Sequence, residues 1–154
     1  MSKVEERLSA AGIVLPQPVA PIANYVPFVR TGSQLYISGQ VSLDASGGIT
    51  GTVGVEVDLE TAQRAARLCG INLLAQMKAG CDGDLDRVAR VVKLGGFVQA
   101  GPDFFDIPSV INGCSDVMVE AFGDAGRHSR SAVGVYRLPR NFSVEVDAVV
   151  ELAR

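Results

Sequence analysis

The stretch HSRSAVGVYRLPRNFSVEVDAVVEL, residues 128–152, decides how this chain is read. It reads as two strands around the turn LPRNF. In the second run Val144, Val146, Ala148 and Val150 alternate onto one face, and Glu145 and Asp147 share the other. Carboxylates on one side of a lone strand most often face water. The preceding run SAVGVYR and the run QLYISGQV, residues 34–41, are however apolar on both faces. A sheet of that kind needs cover on both sides. If helices supply only one cover, the other face becomes a subunit interface, with Glu145 or Asp147 partly buried in it.

The rest of the chain supplies those helices. Ser2 stands three residues before Glu5, a capping-box spacing that predicts a short helix over about residues 2–11. A Pro-rich extended connector follows, over about residues 14–22. YVPFVR and QLYISGQV, separated by Thr31-Gly32-Ser33, predict a hairpin. Pro27 in the first strand of that pair places it at an edge or a bulge. Residues 44–54, DASGGITGTVG, read as loop or a weak second hairpin.

Asp58 is an N-cap for a long helix to about Ala79, with Ala62, Ala65, Ala66, Cys69, Leu73 and Met77 at helical spacing. RVARVVKLGGFVQ predicts a bent strand with a bulge at Gly95-Gly96. A second long helix follows, with Val110, Cys114, Val117 and Phe122 on one side. The pattern is α+β: a single sheet of about six strands with two long helices on one face, all in one domain spanning residues 1–154.

Composition narrows the function. The 154 residues carry a net charge of −3, which gives no electrostatic drive toward nucleic acid or an anionic membrane. No run is long and apolar enough to span a bilayer, and no signal peptide is visible. Three scattered cysteines without CxxC spacing, and one histidine, argue against a disulfide framework or a metal site and for a cytoplasmic protein. GGITGTVG lacks phosphate-loop spacing.

Among candidate site residues, Arg130 stands just before a strand and is followed by the small Ser131 and Ala132. Small neighbours leave room for a ligand, and a guanidinium there can hold a carboxylate through two parallel hydrogen bonds. His128 follows a Gly-rich loop with no evident partner and reads as an exposed loop residue. Cys114 reads as core.

Three segments, NYVPFVRTGSQLYISGQV, VINGCSDVMVEAFGDAG and above all RSAVGVYRLPRNFSVEVDAV, together resemble the Rid/YjgF family of enamine/imine deaminases, in a branch labelled endoribonuclease- or chorismate-mutase-like. The resemblance runs from about Ala23 onward. It implies a chorismate-mutase-like fold, a homotrimer and a cleft between subunits. Arg130 then matches the arginine that binds a substrate carboxylate, and Glu145 the glutamate that positions water. Tyr25, Ser38 and Gly39 match cleft residues, Asn112 a helix asparagine near the cleft, and the backbone near Ala132 a site for the nitrogen. The implied reaction is hydrolysis of a small 2-imino or enamino acid to a 2-oxo acid and ammonia, without metal or organic cofactor. Ala132 stands where many deaminases have cysteine or threonine, and Gly134 where they have a larger residue, so pocket shape differs. A carboxylate-metabolite sensor without catalysis is the alternative that Arg130 suits equally well. An endoribonuclease is another.

Overall fold

The computed structural model describes residues 1–21 and 23–154. Ile22, the last residue of the connector expected over 14–22, lies outside the described residues. In chain order the elements are helix Lys3–Ala10 (α1), strands Phe28–Thr31 (β1) and Gln34–Val41 (β2), and helix Leu59–Gly80 (α2). Strand Val88–Gln99 (β3), helix Ile107–Phe122 (α3) and strands Ser129–Val135 (β4) and Val144–Leu152 (β5) complete the chain. The strands form one sheet in the order β1-β2-β5-β3-β4.

Local chemistry explains most boundaries. The Ser2 hydroxyl accepts from the Glu5 amide, and the Glu5 carboxylate accepts in return from the Ser2 amide. Asp58 accepts from the Thr61 amide and opens α2. Gly32, with φ of 59°, occupies the first position of the two-residue turn between β1 and β2, where a side chain would be strained. Pro27 lies just ahead of β1, which is an edge strand.

The expected count of about six strands is corrected to five among the described residues. Residues 44–54 form a loop in which Gly47, Gly48, Gly51 and Gly54 all adopt positive φ, so its few bridges never extend into a ladder. Nor does Gly95-Gly96 form a bulge. The register of β3 on β5 slips earlier, between Val88 and Arg90 and between Val91 and Lys93. The two glycines instead make room. A Cβ on Gly96 would come within 2.7 Å of Ile111, and one on Gly95 within 2.5 Å of the Asp147 carboxylate.

The larger correction concerns residues 128–152, which are not a hairpin. β3 lies between β4 and β5, parallel to β4 and antiparallel to β5. α3 is the crossover that returns the chain parallel to β3. The linker from β4 to β5 must therefore pass the end of β3, and Gln99, fully buried there, holds it. Gln99 Oε1 accepts from the Leu138 amide at 2.8 Å, and its Nε2 donates to Asn141 Oδ1 at 2.6 Å. Arg140 and Asn141 take left-handed backbone angles in this linker.

The core lies between the sheet and the helix pair. Val144, Val146, Ala148, Val150 and Leu152 of β5 are buried on that side, against the small-residue stripe of α2. α2 and α3 approach closely because Gly113 has no side chain; a Cβ there would sit 2.1 Å from the Gln63 carbonyl. α1 packs on α3. Among the described residues no helix or strand covers the opposite sheet face. It carries exposed Val29, Tyr36 and Val133 alongside half-buried Phe97, Val149, Glu145 and Asp147. No described helix is long and apolar enough to cross a membrane.

Replacing Gln99 by Leu should leave the Leu138 amide and Asn141 without their partner. We expect a loss of about 1–3 kcal/mol in unfolding free energy, read by urea denaturation. An unchanged midpoint would mean that Gln99 does not hold the crossing.

Candidate active site

The sheet's alternation sorts the sequence-predicted site residues into two groups. Residues opposite each other in neighbouring strands share a face. Glu145 is paired with Phe97, and Phe97 with Val133, all on the uncovered face. Arg130 is paired with Leu94, and Leu94 with Ala148, on the helix-covered face. Within one chain, Arg130 and Glu145 therefore point to opposite sides of the sheet.

The first group surrounds a cleft of about 200 Å³ lined by Tyr25, Ser38, Gly39 and Glu145, with Asn72 and Arg140. β2 slips register on β5 between Ile37 and Gln40, which puts Gly39 beside Glu145. A Cβ at Gly39 would lie 2.9 Å from Glu145 Cδ, so the glycine is what lets the carboxylate lie there. The Ser38 hydroxyl donates to the Val26 carbonyl at 2.8 Å, and its amide to the Pro27 carbonyl at 2.9 Å. These bonds tie the Tyr25 segment to the sheet. Asn72 Nδ2 donates to the carbonyls of Val41 and Leu43, bracing the cleft from α2.

The Glu145 side chain makes no hydrogen bond among the described residues. Burial first, and the neighbouring Asp147 second, push its pKa above the ordinary 4.5. Asp147 is likewise pushed up by burial, opposed by the Gly95 backbone and Lys93. Such a carboxylate is a better proton acceptor than one in free solution.

The second group lies under β4. Arg130 Nη1 donates to Asn112 Oδ1 at 2.8 Å and to Ser115 Oγ at 3.1 Å, both on α3. Among the described residues, its Nε and Nη2 make no hydrogen bond, leaving one side of the guanidinium fork for a ligand. Ala132 lies two residues along the same face and packs against the core. His128 is not the exposed loop residue expected: it is half-buried and bonded to Ser115 at 2.9 Å. Sequence reasoning passed over Ser115, although its place three residues after Asn112 sets both on one side of α3. Arg140 was also passed over, because nothing in LPRNF shows which cleft the linker borders.

All three cysteines are free and buried, which disfavours the thiolate that a nucleophile needs. Burial drives the Cys69 thiol well up and lifts Cys114 to about 12. Among the described residues, no group of three or more His, Cys, Asp or Glu side chains is placed to hold a metal ion.

This fold and this distribution of residues place the chain in a known class. The family model described as "YjgF/chorismate_mutase-like, putative endoribonuclease" matches residues 5–152, and the chain belongs to that family. Protein TCP17 of Trypanosoma cruzi is 47% identical over 152 residues, covering 97% of this chain and 94% of its own. A 2-iminobutanoate/2-iminopropanoate deaminase of Dermatophagoides farinae is 31% identical and covers 88% of each chain. The crystal structure of Atu1372 from Agrobacterium tumefaciens, a protein of unknown function, superposes with a TM-score of 0.92 at 48% identity. That match covers 97% of this chain and 92% of the other.

The raised carboxylates have a consequence for stability. The folded state holds these protons more tightly than the unfolded state does. Stability therefore falls as pH rises from the ordinary carboxylate range through the raised folded values, and stays lower above them. Glu145→Gln and Asp147→Asn should each raise the melting temperature at pH 7, with the gain shrinking below about pH 4. Destabilisation at neutral pH in calorimetric scans would show that the carboxylates are held by attraction instead.

Proposed function

We propose that this protein hydrolyses small 2-imino or enamino acids to 2-oxo acids and ammonia, at sites assembled between copies of the chain in a homotrimer. The observation that carries the reading is the division of the site. A guanidinium with a free edge stands on one face of the sheet, and a proton-accepting carboxylate stands in a cleft on the other. Neither half is sufficient alone. A second copy against the uncovered face, with its Val29, Tyr36 and Val133, would bury apolar surface and supply the missing half. The relative bearing the deaminase name supports the choice of chemistry.

The reaction asks little of the protein. An imine beside a carboxylate hydrolyses readily, so the main contributions are orientation and proton handling. The free Nε and Nη2 of Arg130 hold the substrate carboxylate in a side-on fork. Water held by Glu145 adds to the carbon of the protonated imine as Glu145 takes its proton, giving a neutral carbinolamine. Glu145 then returns that proton to the nitrogen, and as the C–N bond breaks the hydroxyl oxygen forms the 2-oxo group and gives up its proton to solvent, releasing ammonia and the 2-oxo acid. Tyr25 and Ser38 bound the cleft, and Ala132 leaves backbone accessible where a bulkier side chain would crowd the nitrogen.

The experiment supplies imines in situ from an amino-acid oxidase and follows their disappearance, with pyruvate binding measured separately. Arg130→Lys and Arg130→Ala should both weaken pyruvate binding roughly ten- to a hundredfold, because lysine cannot reproduce the planar fork. Glu145→Gln should bind pyruvate normally yet lose turnover. Wild-type binding and turnover in Arg130→Ala would refute the assignment. Binding without any turnover in the wild type would favour a metabolite sensor.

A further inference from the structure

The chain's single histidine is part of a directed hydrogen-bond chain that ends on Arg130. His128 Nδ1 lies 2.6 Å from the Gly126 carbonyl oxygen. A carbonyl can only accept, so Nδ1 carries the proton in the neutral ring and Nε2 is bare. Nε2 therefore accepts from the Ser115 hydroxyl at 2.9 Å. Having donated its one proton there, Ser115 Oγ offers a lone pair to Arg130 Nη1 at 3.1 Å. Asn112 Oδ1 takes the other Nη1 bond at 2.8 Å. One edge of the guanidinium is thus linked, through the Ser115 hydroxyl, to the His128 imidazole.

We propose that Arg130, Ser115 and His128 act as a proton-coupled anion-binding unit, in which a carboxylate settling on the free edge of Arg130 brings a proton from solvent onto His128. The proposal rests on the reading of Arg130 as the carboxylate-binding group. The proton adds to Nε2, turning that bond around: Nε2–H now donates to Ser115 Oγ, and the Ser115 hydroxyl proton swings away. Oγ keeps its second lone pair for Arg130 Nη1, so the grip on the guanidinium survives. His128 is a positioning residue here, acting on the ligand through Ser115 and Arg130.

Electrostatics give the sign. Burial opposes a charge on His128 most, the bond to Gly126 favours it, and Arg130 adds to the opposition. A bound carboxylate cancels the field of Arg130 and makes a second cation acceptable. The other charged groups on the surrounding elements do not bond to the ring. Asp124 and Arg127 pair with each other on the exposed turn before it. Arg7 of α1 donates to the Ala121 carbonyl. Lys93 of β3 lies opposite Ser129 on the other sheet face, and Asp116 of α3 lines the groove shared with Arg67. Cys114, lifted to about 12, is neutral. Arg130 is the charge that couples to His128.

A sole histidine makes the test direct, since its ring signals need no assignment by mutation. We would titrate them by NMR from about pH 5 to 8 in the full chain, with and without saturating pyruvate. The pKa of His128 should rise by about half to one pH unit when pyruvate is bound. By linkage, pyruvate affinity should increase by the same factor, roughly three- to tenfold, as pH falls through that range. His128→Gln should lose the part of the pH dependence of pyruvate binding that follows the His128 titration, and Ser115→Ala should show a smaller shift of the His128 signals. Pyruvate binding that leaves the His128 titration unmoved would overturn the coupling while sparing the reading of Arg130. So would a His128→Gln protein that keeps the wild-type pH dependence. Absence of pyruvate binding at every pH would overturn both.

Discussion

The architecture depends on one buried amide. Gln99 closes the C-terminal end of β3, and its two bonds to the linker at Leu138 and Asn141 hold β4 and β5 on either side of that strand. A hairpin between β4 and β5 would bring Arg130 and Glu145 onto adjacent strands. With β3 between them, and with the pleat counting off residues on each strand, Arg130 turns toward α3 and Glu145 toward the uncovered face. Since a buried polar side chain is costly unless it is satisfied, Gln99 also discriminates against other routes for the linker.

That separation gives the two side chains different environments. Arg130 is held from behind by Asn112 and Ser115, which orient the guanidinium without neutralising it. Glu145 is set into a cleft by the absence of a side chain at Gly39, where burial and Asp147 make it readier to accept a proton. On opposite faces of one chain, neither side chain forms a salt bridge among the described residues.

Much of this was legible in the sequence. The α2 cap at Asp58, the small-residue stripe behind it and the alternation in β5 follow from local rules, and each is present. The carboxylates of Glu145 and Asp147 were visible as a pair on one strand face. What local rules could not supply was the partner of each strand. LPRNF is short enough for a hairpin, and only the buried Gln99, dozens of residues earlier, shows that it crosses β3 instead. Gly95-Gly96 carries the ordinary signature of a bulge, whereas the reason for the pair is the room needed by Asp147 and Ile111 from distant segments. His128 looked partnerless for the same reason: Ser115 meets it only after the α3 crossover sets β4 beside β3.

The central claim is that Arg130 and Glu145 serve one site from two copies of the chain. Mixing two inactive proteins tests it most directly. Arg130→Ala and Glu145→Gln would be unfolded together, refolded in equal amounts and assayed for imine hydrolysis. The account predicts that activity returns to about a quarter of the wild-type value, the statistical fraction of interfaces that join an intact Arg130 to an intact Glu145. A mixture as inactive as its two components would contradict it.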